Sequence, residues 1–496
     1  MIDARWRETA LAMAERMWDD YTAQRDIAET ADTWLRAENE TPSLPEDQWA
    51  PDYKALQEVS PSAYIRVAIA EMTQCLYVEG HLPGDPAKAV TDSGPARTFS
   101  EVWDKIWQPN RMDGRQIAVH RGALAHGVAY VVAERATMTF SNEPTVSLRG
   151  VSALSGCALW RSTEVTEFPE AFIEVRTEVD EDGNSMDVVQ IYDERYVYLL
   201  HRYDQSSDRG RNEWIAVDRR EHGASVCPVV AFCNDEDLDG NVMGEIRPVI
   251  PILKRIDQDS FDRLIVQRFG SWRIRTATGI DLPEDNDPDA AAFERFLAIN
   301  SLLTSDNENA KFGTLDPTPL DGYIKAKDSD LRDFAAILQV PPHHILGLSP
   351  NVSAEGLVEA QASLMRKMEE RQHLFGESWE LLMRLGAHIL GMDTAAGDFS
   401  AQVTWRDMES RSLAQIADAL QKLSEILPPE LLWNRLPNWT QQDTEMAIAL
   451  NEKAKKEQEL MLAAEAEVMA AGRQQPAPGG LPNDEARRIG REPGAA

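Results

Sequence analysis

Between Leu331 and Leu390 the sequence asks for a helix too long for an ordinary globular layer. Leu331 to Gln339 reads as a helix end, stopped by Pro341-Pro342, because proline lacks the amide donor and disfavours α geometry in the residue before it. A loop, Gly347 to Val352, follows. Ser353 stands where an N-cap should, with Glu355 in the positively polarised first turn. Leu357, Gln361, Leu364, Met368, Gln372, Phe375, Trp379, Leu382, Gly386 and Ile389 then recur at spacings of four and three, which is one helix face. Roughly 38 residues at ~1.5 Å rise give about 57 Å, enough to span more than one layer of a structure. Gly376 sits near the middle, where glycine costs about 1 kcal/mol and predicts a bend.

The 496 residues suffice for several packed units rather than one core, and 43% hydrophobic with 27% charged residues describes a folded chain. No apolar run reaches 18 residues, and MIDARWRETALAMAERMWDDY is charged throughout, unlike a signal peptide, so no membrane partner is expected. Four cysteines predict free thiols in a reducing cytoplasm rather than a disulfide framework. The net charge of −33, from 83 acidic against 50 basic residues, argues against ordinary gripping of DNA. Such gripping needs clustered Lys and Arg to displace counterions from phosphates. The same charge suits a surface past which a polyanion slides, and equally suits solubility alone.

Along the chain, Met1 to about Asn110 reads as mostly helical, with Trp6, Met13, Met17 and Tyr21 at helical spacing. Ser60–Tyr77 and Ser100–Asn110 are further apolar helices, the latter with Val102, Ile106 and Trp107 on one face. A helix from Arg115 turns at Gly127 into a β-branched strand, and strand signals continue to about Asn234. They cover Thr145–Arg149, Ala171–Glu178, Asp187–Tyr192, Tyr196–Tyr203 and Glu213–Val217, and predict one antiparallel sheet region. Asp180–Ser185 is a hairpin-turn candidate. Ile246–Gln267 is helical, with Pro248 and Pro251 confined to its first turn. A small mixed unit from Ser271 to Tyr323, containing a short helix over residues 290–303, precedes a helix from Asp328 to Gln339. After the long helix come a strand (Phe399–Trp405), an amphipathic helix (Ser410–Ile426), a polar helix (Thr440–Met469) and a Pro/Gly-rich tail expected to be disordered. The class is α+β, and no internal repeat is visible.

Candidate chemistry is thin. His343-His344 suggests a metal or a base, but no third ligand stands at zinc-like spacing and neighbouring loop histidines point apart. NDEDLDGN places Asp235, Asp237, Asp239 and Gly240 like the first positions of a calcium loop. Its twelfth position is Ile246 instead of a bidentate glutamate, with Glu245 off by one, so an acidic surface turn is the better reading. Cys227, Cys233 and His222 fit no zinc spacing, and CPVVAFC alternates like a buried strand. P-loop, nucleophile-elbow and HExxH patterns are missing. The reading is therefore no catalytic residue, no metal and no cofactor.

Four segments, in order, carry a resemblance to a known family. They are IWQPNRMDGRQIAVHRGALAHGVAYVVA, HGASVCPVVAFCNDEDLDGNVMGEIRPVI, LRDFAAILQVPPHHILGLSPNVSAEGLVEAQASLMRKMEERQHLFGESWELLMRL and VTWRDMESRSLAQIADALQKL, spanning about residues 100 to 425. Together they resemble the portal proteins of long-tailed double-stranded DNA bacteriophages. The second departs from the family pattern, since Gly244 directly precedes Glu245 with no serine between. The resemblance implies a multi-domain portal fold: a helical part of a wing over 1–110, a β-rich wing over 111–243, an outgoing stem helix over 244–270 and a clip over 271–325. It continues with a returning stem helix over 326–340, a tunnel loop over 341–353, a long kinked helix over 354–391, a wing strand and helix over 392–427, crown helices over 428–471 and a disordered tail.

By the same resemblance the chain forms a ring, usually of twelve copies, at one capsid vertex of a virion assembled in the host cytoplasm. Double-stranded DNA is packaged and ejected through the ring. A terminase motor, head–tail connector proteins, the major capsid protein and scaffolding protein are the implied partners. Leu348, Ser349, Pro350, Asn351, Val352 and Ser353 would face the channel. They include no Lys or Arg, so they would approach DNA without gripping it. Two rivals stay open: a self-assembling scaffold or adaptor with no DNA role, and a cytoplasmic enzyme whose active site is assembled only in space.

Overall fold

Ala10, Ala14, Met17, Tyr21, Ala28, Ala31 and Trp34 recur at helical spacing and are all buried. The helix they define, α1, runs over Ile2–Arg36. It outlasts the Trp6–Tyr21 pattern because small alanines carry its buried face onward. The computed structural model describes residues 2–39, 50–84, 101–161, 167–179, 185–203, 214–270, 275–278, 311–314, 318–347, 354–407, 418, 420–424 and 441–472. The chain divides into two compact units, Met1–Pro86 with Phe99–Ser410, and Ala87–Thr98 with Arg411–Ala496.

α2 (Ala50–Glu58) and α3 (Tyr64–Gln74) follow, α3 burying Ile65, Ala68, Ile69 and Met72. A short strand, β1 (Val78–Leu82), comes next. Over Trp103–Trp107 a π-helical turn replaces the regular helix expected there. Its two indoles stack at 4.5 Å, and Val102, Ile106 and Trp107 all stay buried as their spacing predicted. α4 (Met112–His126) ends at Gly127, whose φ of 97° lets the chain turn directly into β2 (Val128–Thr137).

The β region forms two sheets where the sequence suggested one. β3 (Pro144–Ser152), β4 (Gly156–Leu159), β5 (Ala171–Val179), β6 (Ser185–Tyr192), β7 (Tyr196–Tyr203), β8 (Trp214–Glu221) and β9 (Val229–Cys233) divide as β3-β2-β9 and β4-β5-β6-β7-β8. Every pairing is antiparallel. The first six residues of β2 are buried on both faces, so β2 belongs at the centre of its own sheet. Tyr130 and Phe172, 4.9 Å apart, join the two sheets, and so do the Arg149–Glu174 and Arg220–Glu134 pairs. The predicted β5–β6 hairpin is present, with Val179 opposite Ser185; residues 180–184 lie outside the described residues.

A 3₁₀ turn at Arg247–Val249 leads into α5 (Ile250–Gly270). Pro248 and Pro251 thus fall where a missing amide is harmless. β10 (Arg275–Thr278) and β11 (Lys311–Thr314) pair with each other, and the helix expected over 290–303 lies outside the described residues. α6 runs over Asp321–Leu338. It starts at Asp321, well before Asp328; its first two turns are largely exposed, and Lys327 donates to Ser260 of α5 at 3.0 Å. Gln339 takes a left-handed φ of 60°, and the amides of Gln339 and Val340 fold back onto Ala336 and Ala335 to end α6 before the prolines.

The double proline does not open directly into a loop. Pro342 starts a one-turn helix, α7 (Pro342–Leu346), closed by Gly347 at a φ of 64°. The long helix, α8 (Ala354–Leu390), matches the predicted span. α9 (Asp393–Ala396) and β12 (Gln402–Trp405) follow, β12 pairing with β1. The predicted Ser410–Ile426 helix lies mostly outside the described residues, and 418 and 420–423 are helical. In the second unit, α10 (Gln441–Gly472) is the expected polar helix; residues 473–496 lie outside the described ones. Helices and antiparallel sheets in one chain make the class α+β. The largest core gathers the C-terminal part of α1, α3, α4, β2, β3, β9, α5, α6 and α8.

Candidate functional site

The α8 stripe read from the sequence is the buried face: Leu364, Met368, Phe375, Trp379 and Leu382 are all within a few per cent of full burial. Phe232 of β9 meets Trp379 edge-on at 4.5 Å, and Trp107 meets it at 5.0 Å. Aromatic contacts of this kind contribute about 0.5–1.5 kcal/mol beyond area burial. Two polar groups from α8 are matched inside this core. Gln372 donates to the Cys75 carbonyl at 3.0 Å, and the Trp379 indole donates to His120 Nε2 at 2.9 Å. Since an indole N–H can only donate, Nε2 accepts and Nδ1 carries the proton, which reaches the Leu76 carbonyl at 3.1 Å. Burial holds the imidazole neutral and lowers its pKa to about 3.

α5 and α6 form an antiparallel pair. Arg255 pairs with Asp330 near one end and Ser260 with Lys327 further along, so numbers rise on one helix as they fall on the other. Leu253, Ile256, Leu331, Phe334 and Leu338 are buried between the pair and the rest of the core. Asp257, on α5, accepts from Asn39 Nδ2 at 3.0 Å, Ser62 N at 3.0 Å and Ser62 Oγ at 2.7 Å. Burial raises its pKa, while the Ser62 and Asn39 hydrogen bonds oppose the shift. This carboxylate fastens α5 to the segment that precedes α3.

The pair meets α8 at a buried ionic junction. Glu245, just ahead of the 3₁₀ turn, sends Oε2 to Lys367 Nζ at 2.6 Å and Oε1 to Asn234 Nδ2 at 3.1 Å, with Arg371 Nη2 at 3.5 Å. Its backbone amide donates to the Leu124 carbonyl at 2.8 Å. The chain can come this close because Gly244 and Gly127 abut. A Cβ on Gly244 would lie 2.4 Å from the Ala125 carbonyl oxygen. Asn234, Gly244 and Glu245, which carried part of the family resemblance, therefore meet in space. Lys367 and Arg371 were missed in the sequence. The available signal was a pair of cations four residues apart, with Arg371 four before Phe375 and so on the apolar stripe itself.

Of the expected channel residues, Leu348, Ser349, Pro350, Asn351, Val352 and Ser353 lie outside the described residues. Gly376 lies within a continuous α8, beneath β12. A Cβ there would sit 3.6 Å from both Trp405 Nε1 and Val403 Cγ2, ordinary contact, so packing does not demand glycine. His343 and His344 sit on α7, not on a loop, with rings edge to face at 4.4 Å. Burial and then the His344 charge lower the His343 pKa, and His344 Nδ1 is 3.2 Å from Glu71 Oε2.

In the acidic turn, Asp237 spends its carboxylate on the amides of Asp239 and Asn241 and on Asn241 Nδ2, each at 2.9 Å, as a surface turn does. Cys227, just before β9, and Cys233, its last residue, are free thiols, and burial pushes Cys233 up to about 12. Among the described residues no group of three His, Cys, Asp or Glu side chains is placed to hold a metal ion, and no helix is long and apolar enough to cross a membrane.

Comparison with known proteins finds relatives over most of the chain's length. The family model for phage portal proteins of the SPP1 Gp6-like type matches residues 14–459. The portal protein of Mycobacterium phage D29 is 24% identical over 375 residues, covering 73% of this chain and 72% of that protein. The portal protein of Mycobacterium phage L5 is 24% identical over 378 residues, covering 73% and 71%. The match runs through the antiparallel helix pair, the glutamate junction and the whole of α8, and the chain belongs to the bacteriophage portal protein family.

Proposed function

We propose that the chain is one subunit of a ring at a capsid vertex, and that double-stranded DNA is packaged and ejected through the ring's centre. In this reading α5 and α6 are the stem helices lining the channel, and residues 271–320 between them form the clip. Terminase and then the head–tail connector dock on the clip. Residues 1–243 and β12 form the wing, and α10 belongs to the crown. Twelve copies, contact with major capsid and scaffolding proteins, and assembly in the host cytoplasm complete the proposal. No catalytic chemistry is part of it.

The observation that carries the reading is the out-and-back pair α5 and α6. It leaves at the Glu245 junction and returns to it, the Leu338 carbonyl at its end lying 3.3 Å from Lys367 Nζ. Such a pair, with a small unit at its far end, gains burial from identical neighbours around an axis. The acid excess supports a channel that does not adhere to DNA.

Leu348 to Ser353 are the proposed channel-facing loop, and α8 bends at Gly376 to carry that loop to the axis. Asn351→Lys or Ser353→Lys introduces a cation that grips passing phosphates. Rings of either variant form in normal yield, while packaged DNA per particle falls at least about tenfold. Normal packaging by both variants would count against the loop assignment.

A further inference from the structure

We propose that Lys367 is the positioning residue that holds both helices of the α5–α6 pair in register with α8. Its side chain is 11% exposed and makes two contacts beyond its own helix. Nζ lies 2.6 Å from Glu245 Oε2, at the entry to α5, and 3.3 Å from the carbonyl of Leu338, the last residue of α6. One cation thus touches where the pair begins and where it ends.

Each end is otherwise fixed to a different part of the core. Glu245 is tied to Leu124 and, through Asn234, to Gly127 at the start of β2. Among the described residues the α6 end is tied by the Gln339 and Val340 amides, which fold back within α6, and by Ser363 Oγ of α8 to the Gln339 carbonyl at 3.4 Å. The orphan carbonyls and negative dipole end of α6 favour a cation there, and Glu245 supplies the counter-charge. Arg371 cannot substitute. It stands one turn further along α8, 3.5 Å from Glu245, and its Nη1 is committed to Glu370.

Stability alone does not explain a buried ion pair here. Desolvation offsets most of its attraction, and apolar replacements of similar volume are often as stable. What an apolar pair loses is the directional link. A displacement of the helix pair is then no longer passed to α8, nor one of α8 to the pair. The packaging consequence rests on the portal reading; the consequence for backbone exchange does not.

The test compares the wild-type protein, Lys367→Met, and the double variant Glu245→Gln with Lys367→Met. Lys367→Met leaves Glu245 Oε2 without its cation and lowers the thermal midpoint; the double variant recovers most of that loss. Hydrogen exchange of purified protein is expected to accelerate by about tenfold at both the first turn of α5 and the last turn of α6, in either variant, with β5–β7 unchanged. Phage assembled on double-variant rings package at least about tenfold less DNA despite the restored midpoint. Acceleration at one helix end only, or at neither, overturns the proposal, and so does wild-type packaging by the double variant. A wild-type protein that forms no rings would overturn the portal reading and leave exchange to decide the coupling.

Discussion

His120 shows how much a single side chain decides in this core. Its two nitrogens bind a donor and an acceptor that only the neutral Nδ1–H tautomer can satisfy, and burial keeps it neutral down to about pH 3. His81 on β1 is also buried, and desolvation lowers its pKa to about 4. In the unfolded chain both titrate near 6.5, so below that pH the unfolded state binds more protons than the folded one. Stability is therefore full above about pH 6.5 and is lost progressively as pH falls toward 4 and then 3. His120→Gln can still offer a donor and an acceptor without titrating. Denaturant unfolding at pH 7 and pH 4.5 should show a smaller loss in that variant than in the wild type; an equal loss would dismiss His120 as a source of the acid sensitivity. The sequence marked the α8 side of this site, because Phe375 and Trp379 fall on the stripe. It could not mark His120, whose partners lie 44 and 259 positions away.

Elements whose signal is local were readable. Strands β5, β6 and β7 fall within two residues of their predicted ends, and α8 was legible from periodicity alone. Elements that depend on a distant partner were not. β1 is VEGHL, without clean alternation, and exists because β12 pairs with it and because Gln116 hydrogen-bonds both the amide and the carbonyl of Val78. Asp257 is of the same kind, a carboxylate on the apolar side of α5 that only its contacts with Asn39 and Ser62 explain. Asp257→Ala strands those donors and should destabilise the subunit by about 2–3 kcal/mol in urea unfolding; a change below about 0.5 kcal/mol would show that α5 is not fastened there. Gly376 separates helix stability from ring geometry. Gly376→Ala has room for its methyl and should raise subunit stability by about 0.5–1 kcal/mol. If α8 bends there in the ring, the same variant yields fewer closed rings by size-exclusion chromatography; unchanged ring yield would dispense with the bend.

At the scale of the whole molecule, order along the chain was the informative signal. No segment alone identified the family, but four in sequence did, and the match over residues 14–459 shows that the order is shared. What the sequence hid was how those segments converge. Asn234 and Glu245 come from the second of the four resembling segments, Leu338 and Lys367 from the third, and the fold brings them to one point. The acid excess, ambiguous between solubility and a sliding surface, gains meaning only if copies of the chain enclose a passage. Electron microscopy of the purified full-length protein measures this most directly. The account predicts closed rings, twelvefold in class averages, with a central opening wide enough to pass a DNA duplex. Monomers, or closed particles with no axial opening, would contradict it.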